Sequence, residues 1–98
     1  MTQNKVEIEG SIAALDSVRY TPAGIPIVEL KITHASEQVE AGKPRQVELE
    51  VWALAAGDLT GRLSRTPLGA RIKASGFLAH KGKAKIQLIL HITEFEFV

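Results

Sequence analysis

The stretch VELEVWALAAGDLTGRLSRTPLGARIKASGFLAH, residues 47 to 80, decides the fold. It reads as a strand, a short helical segment and a second strand. Val47, Leu49, Val51 and Ala53 alternate with Gln46, Glu48, Glu50 and Trp52, the period-two pattern of a half-buried strand with its apolar side on a core. Ala55 to Ser64 is the one stretch with helical character. Gly57 and Gly61 each cost roughly 1 kcal/mol relative to alanine in a helix interior, so the expected helix is short. Pro67 and Gly69 end it. A strand over about residues 69 to 80 then sets Ala70, Ile72, Ala74 and Leu78 against Arg71, Lys73, Ser75 and Phe77, with Gly76 marking a bulge or a close approach of another strand.

Outward from this segment the same alternation recurs. Val6, Ile8, Gly10 and Ile12 alternate with Lys5, Glu7, Glu9 and Ser11 in a first strand over about 5 to 16. Tyr20-Thr-Pro-Ala-Gly-Ile-Pro26 is a turn, because two prolines and a glycine fall within seven residues. A second strand, Ile27 to about Ala35, turns Val28, Leu30 and Ile32 inward and Glu29, Lys31 and Thr33 outward; Ser36 to Pro44 reads as a solvated loop. Beyond the central segment, Lys81-Gly82-Lys83 is expected to be a tight turn. It leads into a last strand over about 84 to 97 that buries Ile86, Leu88, Leu90 and Ile92. Phe95 and Phe97 have the opposite parity, which a bulge near Thr93 accommodates.

Five strands with a short helical insert between the third and fourth is the element order of the OB-fold, a closed Greek-key barrel. Glycines at 10 and 76 support it, since a small barrel bends its strands sharply and mid-strand glycine permits the coiling. Another small barrel or a sandwich is the alternative. The expected fold is therefore all-β, one OB-fold domain over residues 1 to 98, a length sufficient to bury a core without metals or disulfides.

Composition narrows the function. The chain has no cysteine, no signal-peptide pattern and no apolar run near the roughly 20 residues that span a bilayer, so a cytoplasmic, non-membrane protein is expected. The net charge of +1 conceals a polarised chain: no Asp or Glu occurs from Thr60 to Thr93, where Arg62, Arg65, Arg71, Lys73, Lys81, Lys83 and Lys85 lie. Clustered positive charge on a small domain is the footprint expected for a polyanion such as nucleic acid. His34, His80 and His91 are too scattered for metal-ligand spacing, and no serine has a nucleophile-elbow context. Neither a metal, another cofactor nor an enzymatic activity is expected.

OB barrels bind oligonucleotides on the face of the second and third strands and through the loops joining strands one to two and four to five. The latter loop carries Lys81, Lys83 and Lys85, whose contacts with phosphate would release counterions. A lysine-rich hairpin also serves simply to solubilise a turn. Trp52 offers a stacking platform for a base, or else is buried under the 55 to 64 segment or in a subunit interface. Glu48 and Glu50 beside it repel phosphate, with Arg45 and Lys43 as neighbouring compensation; Arg71 and Lys73 add charge on the outward face of the fourth strand.

Asn4-Lys-Val-Glu-Ile-Glu-Gly10 followed by Val18-Arg-Tyr-Thr-Pro-Ala-Gly-Ile-Pro26 resembles the opening of the bacterial single-stranded-DNA-binding protein family. His34, Arg45-Gln46, Gly76-Phe77-Leu78 and His80-Lys81-x-Lys83 are more similar to its short primosomal branch. The resemblance implies an OB-fold homodimer that binds single-stranded DNA and assists the PriA helicase and other primosome proteins in replication restart. It places DNA contacts on Lys81, Lys83 and Lys85, and a basic position of the DNA surface on Arg19. There are departures: the branch's stacking aromatic on the third strand falls on Glu48, and Ala35 replaces a basic residue. Trp52 instead matches an aromatic of the longer family members, which carry a disordered tail with an acidic tip. This sequence stops at Val98, directly after its last strand. A general single-strand coat without that tail, and an OB module that bridges proteins with weak DNA contact, are the two alternative functions.

Overall fold

The computed structural model describes residues 2–82 and 87–98. Its strands are β1 (Val6–Leu15), β2 (Arg19–Tyr20), β3 (Pro26–Glu40), β4 (Lys43–Ala56), β5 (Arg71–His80) and β6 (Leu88–Phe97), with the helix α1 (Leu59–Ser64) between β4 and β5. The sheet runs β1-β5-β6-β4-β3-β2, and an additional β1–β3 pairing closes it into a barrel. Only the β4–β6 pairing is parallel. Five long strands and one short helix thus form the expected OB barrel, with the two-residue β2 added at the edge of β3.

Closure depends on β1 serving two neighbours. Its first half pairs with β5, from Val6↔Gly76 to Ser11↔Arg71, and its second half with β3, from Ser11↔Thr33 to Leu15↔Leu30. The backbones approach too closely there for a side chain: a Cβ on Gly10 would lie 2.2 Å from the Thr33 carbonyl oxygen, and one on Gly76 would lie 1.8 Å from that of His91. Inside, Ile12, Val28, Leu30, Ile32, Ala53, Ile72 and Leu90 are fully buried. Burial of each Val, Leu or Ile contributes roughly 1.5 to 3 kcal/mol. Register jumps from Ser75↔Glu94 to Gly76↔Ile92, which leaves Thr93 unmatched and lets Phe95 turn inward, as its parity required.

Two expectations are corrected. Residues 36 to 44 are not a loop: β3 and β4 stay paired through Glu40↔Lys43, with a two-residue turn at Ala41 and Gly42, whose φ values are 55° and 76°. Positive φ at both positions is the backbone of a type I′ hairpin. This ribbon projects past the core, so neither face needs apolar residues and the alternation fades while the pairing persists. The turn expected at Lys81-Gly82-Lys83 lies partly outside the described residues; the Lys81 amide donates to the Gln87 carbonyl at 2.8 Å. Finally, Leu88 is 55% exposed, since it pairs with exposed His80 at the end of the β5–β6 ladder. Ile86, Lys83 and Lys85 lie outside the described residues.

The helix is short, as its glycines imply, and begins only at Leu59 because Ala53 and Ala55 still belong to the barrel core. Leu63 seals the core from α1, and buried Thr60 ties the helix down by hydrogen bonds to the Pro26 and Ala55 carbonyls at 3.2 and 3.3 Å. Among the described residues no helix is long and apolar enough to cross a membrane. The methyl group of Gly76→Ala has no space beside the His91 carbonyl. We expect this variant to lose about 3 kcal/mol or more in urea unfolding. Gly42→Ala, strained only by its positive φ in an open turn, should lose about 1 to 2 kcal/mol.

Candidate nucleic-acid interface

Because Leu30↔Ala53 face the core, the flanking pairs Glu29↔Leu54 and Lys31↔Trp52 face outward. Glu29 nevertheless is only 7% exposed. Two cations from different parts of the chain close over it: Arg19 Nη2, from β2, lies 2.9 Å from one carboxylate oxygen, and Lys81 Nζ, just beyond β5, lies 3.1 Å from the other. Burial alone would push the Glu29 carboxyl up. The hydrogen bonds and charges of Arg19 and Lys81 outweigh it and hold the group below its ordinary 4.5.

Trp52 sits among the same groups. Its ring centroid is 5.7 Å from Lys31 Nζ and 5.5 Å from Lys81 Nζ, and Lys31 also pairs with Glu50 at 3.2 Å. The ring is half-buried and lies beside two ammonium groups, which draw on its negative π face. An ammonium has three donors and a guanidinium five, so one bond to Glu29 leaves Lys81 and Arg19 further donors for a phosphate. An aromatic ring flanked by such cations meets the two needs of single-strand binding, a stacking surface and backbone neutralisation.

The other expected residues lie elsewhere. Arg71 lines a groove of about 580 Å³ that Ser11, Thr33, His34, Glu48 and Glu50 also line. Lys73 bonds Glu96 at 3.1 Å; that bond, followed by the charges of Glu96 and Glu7, raises its pKa. Arg45 pairs with Glu40 at 2.7 Å on the projecting ribbon, seven residues and therefore about 24 Å along β4 from Trp52. The structure thus brings together Arg19, Trp52 and Lys81 but not Arg45, Arg71 or Lys73. Glu29 and Lys31 escaped the sequence reading, since alternation assigns a face and cannot reveal which distant cations cover it. Exposed Tyr20, next to Arg19, went unremarked as well.

A family model described as "another single-strand binding protein family" matches residues 4–94. The replication restart protein PriB of Bordetella pertussis is 43% identical over 91 residues, covering 93% of this chain and 85% of its own length. The chain belongs to the single-strand binding protein family, in its PriB branch. PriB of Nitrosomonas europaea is 39% identical over 94 residues, with 96% of this chain and 87% of the relative covered. The solved structure of PriB from Ralstonia solanacearum superposes with a TM-score of 0.91 at 34% identity over 98% of both chains. The single-stranded DNA binding protein of Thermus aquaticus shares the fold, with a TM-score of 0.78 at 21% identity over 98% of this chain and 50% of its own.

Glu29 provides a pH test. A carboxyl with a lowered folded pKa contributes stability that is complete above its unfolded value, near 4.5, and is lost as pH falls through the folded value. Glu29→Gln should therefore unfold more easily in urea at pH 7, by about 1 kcal/mol given its partly exposed partners. The gap to the parent should close as pH drops below 4.5.

Proposed function

We propose that this chain binds single-stranded DNA across the outward side of β3 and β4, as an accessory protein of the replication-restart primosome that supports the PriA helicase on DNA. The observation that carries this reading is the convergence of Arg19 and Lys81 on Glu29 beside Trp52, on the barrel face and the two connections that OB-folds use for oligonucleotides. The name replication restart protein, borne by the 43% identical relative, supplies the cellular setting. The chain acts in the cytoplasm as one OB domain per protomer, in a homodimer.

Arg19, Lys81 and Trp52 form the centre of the proposed site, and Lys83 and Lys85 extend it by their place in the same connection. Arg71, which shares a groove with Glu48 and Glu50, and Lys73 and Arg45, each paired with a carboxylate, contribute general attraction rather than anchoring. Glu48 and Glu50 give phosphates a reason to pass nearer Lys81 than the ribbon.

Replacing Lys81, Lys83 and Lys85 together by alanine should weaken binding to an oligothymidylate and flatten the plot of log affinity against log salt by about 2, at about 0.7 per lost phosphate contact. An unchanged affinity and slope would sink the proposed site. The primosomal role is tested by adding the chain to PriA on a forked substrate with a single-stranded arm, where faster unwinding is expected. Sedimentation at micromolar concentration should show a dimer; a monomer would overturn the homodimer.

A further inference from the structure

We propose that Phe77 and His91 form a second base-stacking platform, which carries the strand from Trp52 across β6 onto β5. This inference rests on the single-stranded DNA reading above and adds two residues to it. Phe77 on β5 and His91 on β6 are cross-strand partners, and their rings stack in parallel, with centroids 5.0 Å apart and planes within 5°. The imidazole covers one side of the phenyl ring, yet Phe77 remains 40% exposed. A half-covered aromatic stack that still meets solvent is the arrangement a further flat ring extends.

Its position makes it continuous with the first platform. His91 is the parallel partner of Leu54, which follows Trp52 by two residues on the same outward side of β4. Two strand spacings of about 4.8 Å and a two-residue offset of about 6.8 Å separate Phe77 from Trp52 by roughly 12 Å. Lys81 lies four residues beyond Phe77 in the chain, and its ammonium group lies 5.5 Å from the centre of the Trp52 ring. A groove of about 300 Å³ at the stack is lined by Leu54, Leu59, Phe77, His91 and Thr93 among others, with no Lys, Arg, Asp or Glu. A charge-free groove beside a cationic cluster suits bases in the groove and phosphates on the cluster.

Oligothymidylates of increasing length, followed by anisotropy, test the proposal. Phe77→Ala should match the parent on oligonucleotides too short to reach both platforms and lose about fivefold or more in affinity on longer ones. Lys81→Ala should weaken binding at every length. A second variant, Phe77→Trp in a Trp52→Phe background, keeps an aromatic ring at 77 and makes it the sole tryptophan; its fluorescence should be quenched by the longer oligonucleotides. If Lys81→Ala weakens binding while Phe77→Ala stays within twofold at all lengths, or if the tryptophan at 77 is unquenched, the second platform is wrong and the DNA reading stands. If the parent chain binds no oligonucleotide, both fall.

Discussion

Everything in this barrel depends on how closely β1 and β5 let their neighbours approach. Closing a sheet of so few strands needs sharp coiling, and the two points of greatest crowding fall at Gly10 against Thr33 and Gly76 against His91. No side chain fits at either place. Gly10 lets β1 pass from β5 to β3, while Gly76 lies at the register jump opposite Thr93. The bulge has two consequences. It returns Phe95 to the core, where the Arg62 guanidinium packs 4.5 Å from its ring centre, and it sets the register in which Phe77 meets His91.

The charge of the chain is organised locally by this frame. The acid-free run from Thr60 to Thr93 looks like one basic surface only when read linearly. In the fold its members part: Arg62 covers Phe95, Lys73 on β5 pairs with its neighbour Glu96 on β6, and Lys81 passes Trp52 to reach Glu29. Acids from either side of the run, Glu29 before it and Glu96 after it, therefore meet its cations. Glu29 differs from the other acids in being buried and doubly bonded. It fixes the ends of two flexible side chains whose entropy would otherwise be lost on binding, so the cations are held where a phosphate can use them.

The strands, the helical insert, both glycine contacts and the Thr93 bulge were legible in sequence, because each leaves a local mark in alternation or in glycine placement. The ribbon from Ser36 to Pro44 was not, since it extends past the core and burial no longer selects apolar residues. Part of the candidate site was legible by analogy of position: Lys81, Trp52 and Arg19 lie where OB-folds present such groups, and the structure brings them together. Glu29 was rightly assigned to the outward side, but its burial there was not legible. Its burial arises from residues 10 behind it and 52 ahead of it in the sequence, a relation that only the closed barrel creates.

This local pairing bears on how such a protein could hold DNA with a net charge of only +1. A free surface lysine exchanges condensed counterions for protein contacts, and affinity then falls steeply with salt. Lys81 and Arg19 already share a carboxylate, so a phosphate approaching them adds a further acceptor to donors that are partly satisfied. Each such contact in the proposed site would therefore contribute less electrostatic gain than a free lysine, leaving stacking on Trp52 correspondingly more to supply. In return the cations are positioned before the strand arrives, and their partners on Glu29 remain when it leaves. In the proposed site that balance would favour a strand held loosely enough to be passed on over a tight coat.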